Sequence, residues 1–229
     1  MPASTPSSQS PPPSDRVRLR RKRERGSHDR AVIDAILDEA LIAHVGFSDR
    51  DGHPVVTPTL HARDRDLIYL HGSSASRTVR QMQEGAPLCL TVSLIDGLVL
   101  ARSAMHHSVN YRSVMLFGVA RVVCEERKLH ALERVIEHIV PGRWPEVRPP
   151  TDNELRATTV LELPIEECSA KVRSGAPIDD DDDLALDVWA GVIPLRLQPQ
   201  SAEPDPQLSD GIQPPPHVLD YRRPHSVGT

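Results

Sequence analysis

Between Asp29 and Leu41 the apolar residues Val32, Ile33, Ile36, Leu37, Ala40 and Leu41 recur at spacings of three and four, which predicts a helix with one buried stripe. Ser27 or Asp29 stands ready to cap its first amides. The period then drops to two. Segments 42–48 and 54–62 flank Asp49-Arg50-Asp51-Gly52, and Asp-Gly between β-rich runs predicts a hairpin turn with positive φ. A polar turn at 63–66 leads into 67–71, so three antiparallel strands form a meander. Val79 and Met82, three apart within 76–84, predict a short helix stopped by Gly85-Ala86-Pro87.

Residues 88–103 form a long β-rich run, bent or turned at Asp96-Gly97, and 109–123 form another with Gly118 as a bulge or close-approach point. Residues 128–140 return to a helical period through Leu129, Leu132, Val135, Ile136 and Ile139 until Pro141-Gly142 stops it. Thr151 and Glu154 have capping-box spacing for a further short helix. Segments 158–163, 170–173 and 188–197 supply the last strands. Six or more mostly antiparallel strands with interspersed helices predict a mainly β fold with helical insertions, a barrel or sandwich and not alternating βαβ units. No internal repeat is visible.

Composition trims the ends. Residues 1–15 are rich in Pro and Ser, and 198–229 are Pro-rich without a period, so both are expected to be disordered or loosely draped around one domain at 16–197. The net charge of -5, from 27 basic and 32 acidic residues, argues against a general nucleic-acid binder. Charge is nonetheless uneven: seven of the ten residues at 16–25 are Lys or Arg, and 179–183 is a run of five acids. The basic arm suits a solvated segment, an arm beside a bound phosphate or a nucleic-acid contact. Cys89, Cys124 and Cys168 have no paired spacing, and Cys89 and Cys124 fall in strand-like stretches. No signal peptide leads the chain and no apolar run approaches the roughly 20 residues that span a bilayer, so a reducing cytoplasm is expected.

Several enzyme classes are removed by the lack of zinc spacing, a Walker loop or a Gly-rich dinucleotide turn. What remains is His71-Gly72-Ser73-Ser74-Ala75-Ser76-Arg77-Thr78 at a strand-to-helix junction. Ser73, Ser74, Ser76 and Thr78 offer short donors and Arg77 a two-pronged guanidinium, the set a terminal phosphate needs. An ordinary helix cap with a surface Arg satisfies the same spacing. His106 and His107, adjacent in a predicted strand, face opposite sides and do not suit one metal ion; no metal site is expected. Asn110, Tyr111, Arg112 and Ser113 suit the polar edge of a planar heterocycle, and Trp189 is either core or a ligand flank.

Taken in order, RERGSHDRAVIDAILDEALIAHVGF, PVVTPT, IYLHGSSASR, DGLVLARSAMHHSVNYRSVMLFGVA, VPGRWPEVRPPT, SAKVRSG and VWAGVIPLRL resemble the pyridoxamine 5′-phosphate oxidase-related flavoproteins, more narrowly the nitroimidazole-resistance-type branch. The resemblance implies a split β-barrel that dimerises and holds FMN between subunits. It matches Ser76-Arg77 to the pair that grips the FMN phosphate, with Gly72 allowing close approach and Thr78 standing where the oxidase has a Lys. It sets Val55, Val56, Thr57, Pro58 and Thr59 along the isoalloxazine ring, Arg112 and Ser113 on the strand given by the partner, and Trp189 in the C-terminal cofactor segment. Only Arg196 follows Trp189 before the proline tail, which sets vitamin B6 oxidation aside. The expected activity is FMN-dependent oxidoreduction of a small molecule, with His71 or Tyr111 as proton donor and a donor such as NADPH. A binding module without turnover, for flavin, heme or deazaflavin, is the other reading.

Overall fold

A computed structural model describes residues 12–223; the expectations for 1–11 and 224–229 lie outside the described residues. After a 3-10 turn at Arg23–Arg25 the elements run β1 (Gly26–Ser27), α1 (Arg30–Glu39), β2 (Ile42–Ser48), β3 (Pro54–Asp64), β4 (Leu67–Ser73), α2 (Arg77–Gln83) and β5 (Pro87–Leu100). They continue with β6 (Ser108–Val119), β7 (Arg121–Val122), α3 (Glu125–Ile139), α4 (Asp152–Ala157), β8 (Thr158–Pro164), β9 (Glu167–Arg173), β10 (Gly191–Pro194) and α5 (Pro216–Leu219). The expected mainly β architecture is what the chain forms. Every strand pair is antiparallel, in the order β1-β9-β6-β5-β2-β3-β4-β8-β7, with β10 also on β5.

Two strands shape the barrel. The first half of β3 pairs with β2, from Ser48↔Pro54 to Ile42↔Leu60, whereas its second half pairs with β4, from His61↔Leu70 to Asp64↔Leu67. One strand therefore carries the sheet around a corner. Strand β5 pairs with β2 near its start, with β6 along its length and with β10 near its end, and its register slips between Ile95 and Gly97, where the sequence predicts a bend. The ends β1 and β7 do not pair, so the barrel stays split. Across the interior β6 faces β8: a Cβ on Gly118 would lie 2.8 Å from Leu163 Cδ1. Gly118 is thus a close-approach glycine in register with Leu88, not a bulge.

Helix α1 starts where expected, with the Asp29 carboxylate accepting the Ala31 N–H at 2.9 Å, and buries Ile33, Ile36 and Leu37 against Val45, Leu90, Val114 and Leu116 of the barrel core. Helix α3 covers the β3–β4–β8 side with Ala131 and Val135 against Ala62, Tyr69 and Val160. Thr151 and Glu154 close the predicted capping box on α4.

Four local expectations shift. Cys124 is the N-cap of α3 and not a strand residue, because the charged Glu125, Glu126 and Arg127 already belong to the helix. His106 lies in a 3-10 turn at Ala104–His106 and His107 follows it, so neither is a strand residue; the strand begins at Ser108, one residue before the predicted run. Strand β9 starts three residues before 170, while β10 is only four residues long. Beyond β10 the described residues have no regular structure except α5, yet Tyr221 and Arg223 are tied down. Tyr221 Oη donates to the Ile139 carbonyl at 2.9 Å, and Arg223 donates to the carbonyls of Asp38, Glu39 and His138. These bonds satisfy helix-end carbonyls that α1 and α3 leave open.

Behind that anchor His61 is fully buried; its Nε2 donates to the Leu37 carbonyl at 3.0 Å and its ring lies 5.1 Å from that of His138. Burial, then the nearby His138, pushes His61 down to about 4. The unfolded chain therefore takes up a proton on His61 at a higher pH than the folded chain does. Stability is fully present above about pH 6.5 and falls toward pH 4, by about 3 kcal/mol for this group. Urea midpoints measured from pH 7.5 to 4.5 are expected to fall for the native chain and to fall less for His61→Gln.

Candidate functional site

The junction of β4 and α2 gathers Gly72, Ser73, Ser76, Arg77 and Thr78 at one corner. Ser74 fixes the loop onto β8: its hydroxyl donates to the Arg156 carbonyl at 3.3 Å and accepts from Thr159 Oγ1 at 3.2 Å. Ser73 Oγ accepts the Ala75 N–H at 3.2 Å. Ser76 occupies the N-cap of α2, but its hydroxyl makes no capping bond. Helix α2 has only seven residues, so side chains and not a helix field give this corner its chemistry.

Arg77 is the dominant group. Its side chain is 71% exposed, and one Nη2–H donates to Asp49 Oδ2 in the β2–β3 turn. Asp49 is itself only 6% exposed, and its Oδ1 accepts the N–H groups of Asp51 and His53. The His53 N–H first, with Asp51 and Arg77 adding to it, holds the Asp49 carboxyl below the usual range. One prong of the guanidinium is thus fixed by a well-seated carboxylate while the others face outward, an arrangement suited to an anion. Asp49 reads in the sequence as a turn residue; nothing in its spacing to Arg77, 28 positions on, marks it as an orienting partner.

Strand β3 lies next to this corner. Thr57 Oγ1 and Thr78 Oγ1 are 3.4 Å apart, joining β3 to α2. Val56, 66% exposed, and Pro58 turn to one face, whereas Thr57 and Thr59 are half-buried on the other. Half-buried His71 pairs with Val160 on β8, and its Nδ1 is a buried nitrogen without a hydrogen-bond partner among the described residues. Burial lowers its pKa, so the imidazole is neutral near pH 7. Gly72 does not have positive φ; its constraint is packing, since a Cβ there would lie 2.8 Å from Val79 Cγ2. Gly72→Ala is expected to lower the melting temperature by several degrees through displacement of Val79, read by circular dichroism.

The second group of expected site residues lies on β6, with β5, β2 and β3 between it and β4 in the sheet order. Here Arg112, 5% exposed, donates to both carboxylate oxygens of Glu39, at the end of α1, and of Asp96, at the bend of β5. Glu39 first and Asp96 second raise the guanidinium pKa further. Asn110 donates to the Gly175 carbonyl at 3.1 Å and accepts from Arg173. Ser113 Oγ donates to the Lys171 carbonyl at 3.4 Å, and half-buried Tyr111 makes no side-chain hydrogen bond among the described residues. Arg112 and Asn110 are therefore committed within their own chain. Trp189 is 67% exposed, its ring over Gly191.

Among the described residues two groups carry ligand atoms within 4.8 Å of one another, Asp49 with Asp51 and His53, and His106 with Asp179 and Asp183. Asp49 is already bound to Arg77, and Asp179 accepts from the Arg102 N–H and guanidinium.

A family model described as pyridoxamine 5′-phosphate oxidase matches residues 29–172, the span that contains strands β2 to β8, most of β9, and the expected site residues on β3, β4, α2 and β6. The chain belongs to the pyridoxamine 5′-phosphate oxidase family. Among solved members of related structure, the flavocytochrome Anf3 of Azotobacter vinelandii is 43% identical, covers 92% of this chain and 98% of its own, and superposes with a TM-score of 0.87. An FAD and heme binding protein of Mycobacterium smegmatis is 38% identical over 85% of this chain and 95% of its own, with a TM-score of 0.82. A 5-nitroimidazole antibiotic resistance protein of Bacteroides thetaiotaomicron, of the branch expected from the motifs, is 26% identical over 64% of this chain and 86% of its own, with a TM-score of 0.55. No curated protein matches. Among the described residues no helix is long and apolar enough to cross a membrane.

Proposed function

We propose that this member of the pyridoxamine 5′-phosphate oxidase family is a flavoprotein that also binds heme, and that it works as an electron-transferring oxidoreductase on a small molecule. The observation that carries the flavin reading is the β4–α2 corner: an outward guanidinium at Arg77, held by Asp49, beside the uncapped hydroxyl of Ser76. These groups fit a phosphate, and the exposed edge of β3 at Val56 and Pro58 stands next to them for the ring. The Mycobacterium smegmatis relative supports FAD as the flavin, whereas the phosphate-gripping motif first suggested FMN. The heme reading rests on the two relatives described as a flavocytochrome and as FAD and heme binding, and on His71. His71, a neutral imidazole whose Nδ1 has no hydrogen-bond partner among the described residues, would be the residue to hold heme iron.

When bound, the flavin and heme supply the electron transfer. The chain's own residues would then hold the phosphate (Arg77 and Ser76), orient the Arg77 guanidinium (Asp49), hold the iron (His71) and offer a proton from the Tyr111 hydroxyl. In a homodimer, Tyr111 and Ser113 on β6 of one chain would be brought to the β4–α2 corner of the other. Ile95, Leu98, Val109 and Met115 leave an apolar surface on β5 and β6 that suits such pairing.

The test is the visible spectrum of the purified protein, with chromatography of the released flavin. Flavin bands lost in Arg77→Ala and a Soret band lost in His71→Ala are the expected results. Native protein that holds neither group after titration with FAD, FMN and hemin overturns the reading; FMN as the sole released flavin corrects its identity.

A further inference from the structure

A cavity of about 660 Å³ lies away from the β4–α2 corner, between the bend of β5, the end of α1 and the C-terminal segment. Its walls come from Ser93–Asp96 and Glu39 on one side and from Leu195–Pro199, Arg222 and Arg223 on the other. The whole second wall lies after residue 172, beyond the span that matches the family model. The size falls within the range of small-molecule sites, roughly 300–1,000 Å³, and exceeds what a bare inorganic ion fills.

Charge at this cavity is sorted. Glu39 and Asp96, its two acids, are both gripped by the buried Arg112. Arg223 spends its guanidinium on the carbonyls of Asp38, Glu39 and His138, which pins the second wall in place. Arg196 and Arg222 are different: among the described residues neither has an ion pair or side-chain hydrogen bond. Leu94, Ile95, Leu195, Leu197 and Pro199 make most of the remaining lining apolar, with Ser93 and Gln198 as uncharged polar residues. A ligand that matches both features carries an anionic head for two guanidinium groups and an apolar body.

We propose that this cavity is a second binding site, distinct from the cofactor corner, for a small organic anion with an apolar body, its carboxylate or phosphate head held by Arg196 and Arg222. The site goes beyond the flavin and heme reading and uses none of the residues assigned there to the cofactors; Ile95 alone is shared with the surface proposed for dimer pairing.

The experiment is calorimetric titration of the full-length protein, as purified, with octanoate, octylamine and inorganic phosphate. Octanoate is expected to bind at one site per chain, and octylamine and phosphate to give no saturable heat. In the Arg196→Ala, Arg222→Ala double variant octanoate affinity is expected to fall at least tenfold, with partial recovery when both residues are Lys and with flavin and heme absorbance unchanged. Absence of octanoate binding, equal binding of octylamine, binding of phosphate as tight as octanoate, or an unchanged affinity in the double variant overturns the proposal. Loss of flavin or heme absorbance in the double variant also overturns it, because the cavity would then belong to the cofactor site. Since both arginines are exposed, the variants are expected to melt with the native chain, which circular dichroism checks.

Discussion

Arg77→Ala is expected to weaken flavin binding by one to two orders of magnitude while the melting temperature stays within a degree or two of the native value. The size of the loss follows from removing charge-assisted hydrogen bonds to a phosphate, about 1.5–3 kcal/mol. The unchanged stability follows from exposure: Arg77 is 71% exposed and its only protein partner among the described residues is Asp49. Asp49→Ala is the informative companion. It leaves the guanidinium in place but frees its orientation and removes the acceptor for the Asp51 and His53 N–H groups, so a smaller loss of affinity is expected, together with a looser β2–β3 turn. Fluorescence titration of the apoprotein with FMN and FAD reads both variants. Native affinity in Arg77→Ala would return the β4–α2 corner to an ordinary helix cap with a surface arginine.

The second large effect is on stability. Arg112→Leu is expected to cost about 3–5 kcal/mol, because it leaves the Glu39 and Asp96 carboxylates facing one another without their shared cation. For a domain of this size, that corresponds to a drop in melting temperature of about 10 °C. Arg112→Lys keeps the charge but not the planar fork that reaches both carboxylates, and should fall between the two. Adding Glu39→Gln and Asp96→Asn to Arg112→Leu should recover much of the loss, as the buried charges are then gone. A loss of flavin affinity in Arg112→Leu with no change in melting temperature would show instead that Arg112 serves the cofactor directly.

Much of the fold was legible along the chain because its signals are local. The three-and-four spacing around Ile33, Ile36 and Leu37, the Asp51-Gly52 turn with φ +83° at the glycine, and the Thr151–Glu154 capping box each fix an element from residues within a few positions of one another. The bend at Asp96-Gly97 and the need for a small residue at Gly118 were visible for the same reason. The length of β10 and the start of β9 were not, since β pairing depends on a distant partner strand and polar residues such as Glu167 tolerate either state.

Ser76 and Arg77 stood out as phosphate-binding residue types at a strand-to-helix junction, and the ordered motifs placed the chain in its family. What the sequence alone determined about this protein is therefore its element types, its mainly β class and the chemistry on offer at 71–78. The tertiary structure alone decided how that chemistry is disposed. It seated Asp49 against Arg77, turned Arg112 inward to Glu39 and Asp96, left His71 with an unpartnered nitrogen, and folded the proline-rich segment back so that Arg223 closes α1. Each of these is a contact between side chains far apart in sequence, made when β3 turns the sheet corner and the barrel curls. Local periodicity carries no information about such pairs, because an arginine that meets a phosphate and one that meets a buried carboxylate are the same residue until the chain folds.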